Sequence, residues 1–493
     1  MQSVIATRSN NREFSWSTFG LLLILSFMVG YVLLSPLQSM GWKAYLIAGF
    51  LLFNLAFYWV LRNFEESWFL ITIFFVSFLI EKHFGPSVYR EKYMIYNPTI
   101  TMSDAMLVVL ISTWFFKAVL YQKTLSLRPQ FLIRSILLLI VIGISMKNAI
   151  EPFQTKVGFY TFIKGFLFYL FFQNYLNRPR KFKLALLALT IGASIQGSVG
   201  ILQQLAHSNF GFSSTNSLHE ASEFRVVGML ATPARYAQYL NFLLFIPLGF
   251  LLIARDRRIQ ILSGIAFFLI SAGILFAFAR TTWLASFVGS VIVVTFLRSR
   301  IRRDNVKLIF FFFWLLILGT LLFGFINFEK IADRVMQLED RGDNMKTSRI
   351  ARGLISLNMI ESYPWFGVGI NNATENYLKF DYDHLLYPPI ANLSYVHNNY
   401  LLVASEIGLT GLFFYLLLIL SILYSAYKLA RAPDDLTAMV GAMIFASFIS
   451  FLLASVTVAY PGNPFATIFW LYIAMTAALS KKQKLEEQAA NTD

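Results

Sequence analysis

Apolar residues run in long blocks along this chain instead of alternating with polar ones. Blocks of roughly 17–25 residues recur, which is the length a helix needs to cross a bilayer. Fourteen candidate spans follow: 16–35, 43–61, 67–80, 104–121, 130–146, 157–176, 184–206, 234–254, 259–279, 281–298, 307–326, 399–428, 437–459 and 465–480. The third is short and the twelfth long. Phe267–Phe278 shows the character of these runs, with Ser271 as its only polar side chain. Strands of a membrane barrel would alternate polar and apolar positions, so helices are the spanning element. The pattern predicts an all-α, polytopic transmembrane helix bundle of about 12–14 spans, with residues 1–493 forming a single integral membrane domain.

The segments between spans are mostly short. Two stand apart: 327–398, read as a long extracytoplasmic loop, and 481–493, read as a disordered cytoplasmic tail. There is no clear internal repeat. Arg8 and Arg12 precede the first apolar run and no small-residue cleavage site follows, so an uncleaved first helix is expected.

Composition agrees with a chain solvated by lipid. Hydrophobic residues make up 57% and charged residues 14%, against about 25% charged in a soluble domain. The net charge of +15 would suggest nucleic acid in a soluble protein. Here the basic residues cluster beside spans, as in Arg178-Pro179-Arg180-Lys181, Arg255-Asp256-Arg257-Arg258, Arg298-Ser299-Arg300 and Lys481-Lys482. There they set orientation and meet anionic lipid, and no nucleic-acid partner is expected. Alternation of these clusters puts both termini in the cytoplasm. It also puts 207–233, the turn at Ala279-Arg280-Thr281 and the segment 327–398 together on the opposite side. The absence of cysteine excludes disulfides, thiol catalysis and Cys-ligated metal.

The chemistry-bearing residues lie mainly in those outer segments. Arg280 sits between two apolar runs, followed by Trp283. It reads either as an interfacial anchor or as a phosphate clamp, because a guanidinium matches phosphate oxygens. Arg225 is one loop cation among several or half of a diphosphate site, and Arg235 is near enough to take its place. His397 opens the twelfth span, and a neutral imidazole there can accept a proton at ordinary pH. Glu406 lies nine residues on, on the opposite face of a regular helix, and reads as a buried polar fixture or gate. Lys164 lies deep in the 157–176 span. A charge there needs a partner or a wet cavity, and Lys164 is expected either to pair with Glu406, at similar depth, or to border the same wet cavity with it. Asp381-Tyr382-Asp383-His384 resembles a metal-binding Asp-x-Asp but reads better as a solvated acidic turn. No metal site or cofactor is expected, and no nucleophile elbow, phosphate-binding glycine loop or HExxH helix is present.

Four ordered segments resemble a known family. They are Arg225–Gly228 with Pro233–Leu240, then Ala279–Ala285, Tyr363–Asn371, and His397–Leu401 with Glu406–Gly411. Together they span 225–411 and resemble bacterial O-antigen ligases and the related O-antigen and exopolysaccharide polymerases. Thr232, not the frequent Asn, precedes Pro233. The resemblance implies glycosyl transfer at the outer face of the plasma membrane from a polyprenyl-diphosphate-linked glycan to a glycan or lipid-glycan acceptor. Arg225 and Arg280 would hold the leaving diphosphate and His397 would take the acceptor proton. Arg235, Arg349, Asn398, Glu406 and Lys164 are the further candidates for substrate binding. A flippase and a chain-length regulator are candidate partners. A polymerase is favoured by the span count and the long outer segment, and a ligase is the alternative. A transporter or flippase of lipid-linked sugars is the reading from another class, disfavoured by the lack of a repeat.

Overall fold

The structure is a computed structural model. It describes residues 64–78, 81–83, 99–120, 130–212, 224–230, 232–301, 303–326, 342–386, 396–458 and 465–490. The candidate spans 16–35 and 43–61, and the expected uncleaved first helix, lie outside the described residues. The chain divides into two compact units, Met1–Ile71 and Thr72–Asp493.

Fourteen α-helices occur among the described residues: α1 Phe64–Phe75, α2 Met102–Leu120, α3 Leu132–Ser145, α4 Pro152–Tyr175, α5 Pro179–Ala206, α6 Pro233–Ile253, α7 Arg257–Phe276, α8 Arg280–Leu297, α9 Arg303–Ile326, α10 Gly342–Ser362, α11 Ala373–Phe380, α12 Asn399–Ala430, α13 Asp435–Ala454 and α14 Phe465–Ala490. The only strands among them form an antiparallel ribbon, β1 Glu81–His83 with β2 Thr99–Thr101. The fold is an all-α polytopic bundle, as the apolar runs predict. Six of the helices, α5, α6, α7, α8, α12 and α13, are long and apolar enough to cross a membrane.

Helix α6 is the spine of the second unit, enclosed by α5, α7, α8, α9 and α13. Its residues from Tyr236 to Gly249 are buried without interruption, as expected of a helix that is apolar all round. Pro247 interrupts its hydrogen-bond ladder. Near that break the Phe242 carbonyl accepts the hydroxyls of Ser447 at 2.9 Å and Tyr472 at 3.2 Å. Peripheral helices turn bulky apolar residues outward, among them Leu262, Leu284, Phe287 and Leu420. An apolar exterior over an apolar core is the signature of a lipid-solvated surface.

Contacts sort the connections into two ends. At one end Arg300 binds Asp435 at 2.9 Å and the Ala432 and Pro433 carbonyls, and Asn305 donates to the Leu252 carbonyl at 3.0 Å. At the other, segments near 148–154, 225–229, 276–281, 364–373, 397–399 and 455–457 meet. In the second group 225–229, the turn at 279–281, 364–373 and 397–399 fall in segments that charge alternation puts outside, and in the first group Arg300 falls in a cluster it puts inside.

Two expectations change. The segment 327–398 is not an open loop throughout, because α10 and α11 fold around a core of Ile355, Met359, Val368, Tyr377 and Phe380. That core continues into α12 through Leu402. Within the expected tail, residues 481–490 are not a disordered extension either. Helix α14 runs to Ala490, with Lys482 and Glu486 paired one turn apart at 3.5 Å. Charge density in 481–490 hid a helix that needs no buried face of its own, being continuous with the span before it.

Candidate active site at one end of the bundle

Two glutamines of α5, Gln196 and Gln203, are fully buried two turns apart. Gln203 Oε1 accepts from the amides of Val227 at 3.1 Å and Gly228 at 2.8 Å, and its Nε2 donates to the Gly228 carbonyl at 2.8 Å. Gln196 Oε1 accepts from the Met229 amide at 2.9 Å. Irregular backbone inside a membrane protein needs such partners, and these side chains fix the segment that carries Arg225. The half-buried Arg225 then donates from Nε and Nη2 to the Ala277 carbonyl at 3.1 and 2.9 Å, and from Nη2 to the Phe278 carbonyl at 3.4 Å. Phe278 adopts a left-handed backbone conformation with φ 52°, which turns the chain from α7 into α8. Arg225 therefore clamps the turn that presents Arg280.

Arg280 is exposed at the first position of α8, and the capping residue Ala279 supplies no side-chain hydrogen bond. The positive end of the helix is left open beside the guanidinium. Arg349, exposed on α10, completes the group. Burial lowers the pKa of Arg225, and the charges of Arg349 and Arg280 lower it further. Three arginines from distant parts of the chain thus lie within electrostatic reach. None of them forms a salt bridge with a carboxylate among the described residues. Arg235 stands in the first turn of α6, where the Thr232 hydroxyl accepts its amide at 3.4 Å, and its Nε is buried without a partner. Thr232 at the cap and Pro233 behind it make a regular helix start, which explains how Thr serves at this position.

His397 is held at the start of α12 by the residues after it. Asn398 caps the helix, its Oδ1 accepting from the amides of Tyr400 at 2.9 Å and Leu401 at 3.0 Å. The Asn399 amide donates to the Ser455 carbonyl at 2.8 Å, and the Tyr400 hydroxyl to the Leu452 carbonyl at 2.8 Å. Two residues beyond Ser455, the hydroxyls of Thr457 and Thr281 are 2.8 Å apart, next to Arg280. The start of α12, just after His397, and the Arg280 turn are therefore tied to the same end of α13. Asn398, expected to bind substrate, has its carbonyl oxygen committed to the cap.

The pairing expected between Lys164 and Glu406 does not form. Lys164 binds Asp104 at 2.8 Å. Glu406 accepts from the Ala373 amide at 3.4 Å. Around it, the Val368 and Gly369 amides donate to the Ser405 and Glu406 carbonyls, both at 2.9 Å, and the Leu409 amide donates to the Pro364 carbonyl at 2.7 Å. Glu406 is a polar fixture that docks the 363–373 segment onto α12. Its hydrogen-bond partner is the Ala373 amide, not a lysine. The same segment is stitched to the α3–α4 turn: Asn148 donates to the Gly367 carbonyl at 2.8 Å, and Asn372 Oδ1 accepts the Glu151 amide at 2.9 Å. Asp381 is also structural, accepting from the amides of Leu385 at 2.8 Å and Leu386 at 2.9 Å.

Sequence reasoning missed Gln196, Gln203, Arg352 and Tyr377. The two glutamines carried a usable signal, since paired amides two turns apart inside a span need backbone partners. Arg352 and Tyr377 lay in a segment read as a loop.

Residues 265–416, from within α7 into α12, match the family model described as O-antigen ligase. The match takes in Arg280, Arg349, His397 and Glu406, and Arg225, Arg235 and Lys164 lie before it. No curated protein matches the chain. Residues 265–416 of this multi-pass membrane protein, which carry Arg280, Arg349 and the His397 junction, are thus similar to the O-antigen ligase family.

Proposed function

We propose that the protein polymerises repeat units of an envelope or extracellular polysaccharide at the outer face of the plasma membrane, with both termini in the cytoplasm. The donor is an oligosaccharide on polyprenyl diphosphate. The observation that supports this reading is the group Arg225, Arg280 and Arg349, gathered without a pairing carboxylate among the described residues, at the end of the bundle that also carries His397.

In this reading an acceptor hydroxyl oxygen attacks the anomeric carbon of the donor. The bond from that carbon to the diphosphate oxygen breaks, and its electron pair leaves with the diphosphate. His397 takes the hydroxyl proton. Arg280 and Arg349 stabilise the charge that grows on the leaving group, and Arg225 contributes its field while bracing the turn beneath Arg280. With guanidiniums in this role the transfer requires no divalent metal. Arg235 and Asn398 border the donor path, and a flippase and a chain-length regulator are the partners such a reaction calls for.

The test is transfer by the purified protein in liposomes carrying a polyprenyl-diphosphate oligosaccharide. A ladder of products is expected. Arg280→Ala, at matched protein level, should reduce the rate by about 10²–10³, the cost of removing one electrostatic donor. Lysine should restore little of it, since it lacks the planar fork. Undiminished product from Arg280→Ala would overturn the arginine assignment. One transfer to a lipid or wall acceptor without a ladder would replace the polymerase by a ligase.

A further inference from the structure

The row of cations continues past the three arginines. Arg352 lies one turn from Arg349 on α10, on the same face. It is only 7% exposed, its Nε is buried without a partner, and its guanidinium forms no hydrogen bond or salt bridge among the described residues. Its neighbours are Arg349 and the Tyr377 hydroxyl, which is itself fully buried with no hydrogen bond of full geometry. Tyr377 in turn shares its core with Val396, the residue before His397. Arg280 and Arg349 act on Arg225, whereas Arg349 is the only arginine that acts on Arg352. Arg352 therefore adjoins both Arg349 and the core that holds Tyr377 and Val396.

A largely buried arginine whose Nε has no partner is disfavoured, and its planar fork suits a carboxylate. A diphosphate held by Arg225, Arg280 and Arg349 already meets three positive charges, so it leaves the fourth, Arg352, to another anion. We propose that Arg352 reads a carboxylate on the glycan, so that the sugar chain handled here is acidic and carries a uronic acid or comparable anionic sugar next to the reacting unit. This inference rests on the glycan-transfer reading and narrows its substrate class.

Binding to the full-length protein in detergent tests it without requiring turnover. The probes are tetragalacturonate, the neutral maltotetraose and inorganic diphosphate, followed by calorimetry and thermal shift. Tetragalacturonate should bind at least about tenfold more tightly than maltotetraose, the scale of one charged hydrogen-bonded contact. Arg352→Met and Arg352→Gln should abolish that preference and leave diphosphate binding in place, whereas Arg280→Ala should weaken diphosphate binding and keep the preference. Removing a lone buried charge should leave the melting temperature unchanged or raised. Equal binding of the two oligosaccharides would overturn the inference. So would loss of diphosphate binding in the Arg352 variants, or a marked fall in melting temperature in both, which would make Arg352 structural. Failure of Arg280→Ala to impair transfer would sink the catalytic reading instead, and uronate discrimination is scored independently of it.

Discussion

Single side chains in this protein are decided by what satisfies them, and Lys164 illustrates the point. Its ammonium, 10% exposed, meets an Asp104 carboxylate that is 6% exposed. Asp104 has a second duty, since its Oδ2 accepts the Thr101 amide at 2.9 Å while its own amide donates to the Thr101 hydroxyl at 3.0 Å. That reciprocal cap starts α2. Lys164→Met or Asp104→Asn alone should each destabilise by about 3–5 kcal/mol, because a buried charge loses its counter-charge. Removing both should cost far less than the sum, leaving mainly the cap, about 1 kcal/mol. Thermal unfolding of the two single variants and the double variant in detergent measures this, and additive losses would show that the ion pair is not coupled. The sequence made plain that Lys164 needs an anion but misidentified it. Glu406 and Asp104 are both carboxylates in apolar surroundings, and only the structure reveals that backbone amides already occupy Glu406.

At the level of elements, short motifs matter because they dock two pieces of backbone. Helix α12 is broken at Gly408, where φ is 75° and ψ 176°, a region open essentially to glycine alone. A Cβ at Gly408 would stand 2.2 Å from the Trp365 carbonyl oxygen, and one at Gly367 would stand 2.4 Å from the Glu406 carbonyl carbon. Both obstacles are backbone, so neither can move aside. Gly408→Ala should therefore cost at least about 1–3 kcal/mol in strain alone and reduce transfer by shifting the helix that holds His397. Gly353→Ala on α10 is the control. Its nearest neighbour would be a Leu401 methyl at 4.0 Å, and helix propensity predicts no loss or a gain of about 0.5–1 kcal/mol. Equal melting temperatures for the two variants would contradict this account. The motifs at 363–371 and 406–411 were legible as patterns, and so was the helix beginning at Asn399. Their edge-to-edge contact was not, because pairing between segments roughly 40 residues apart in the chain leaves no periodic trace. The same reason hid α10 and α11: their apolar residues close a small core with each other and with Leu402, in runs too short to stand out from a loop.

For the molecule as a whole, period and charge carried the information. Apolar blocks of bilayer length predicted the helices, and alternation of basic clusters sorted their connections into two sets that the structure then gathers at opposite ends. The absolute direction of those ends is a separate matter, governed by where the basic loops reside. The loops at 254–258, 298–303 and 431–435 belong to the basic end, which includes Arg255, Arg257, Arg258, Arg298, Arg300 and Arg431. They should face the cytoplasm, leaving Arg280, Arg349 and His397 outside, as the proposed transfer requires. The chain contains no cysteine, so single-cysteine variants need no background substitution. Asp383 is exposed just after α11, and Arg258 is exposed at the opposite end. In spheroplasts a membrane-impermeant maleimide should label Asp383→Cys at once and Arg258→Cys only after lysis. The reverse pattern would put the arginine group on the cytoplasmic side and rule out transfer on the outer face. Immediate labelling of both would break the assignment of the two ends to opposite sides of a bilayer, which is the premise on which every charge argument for this chain depends.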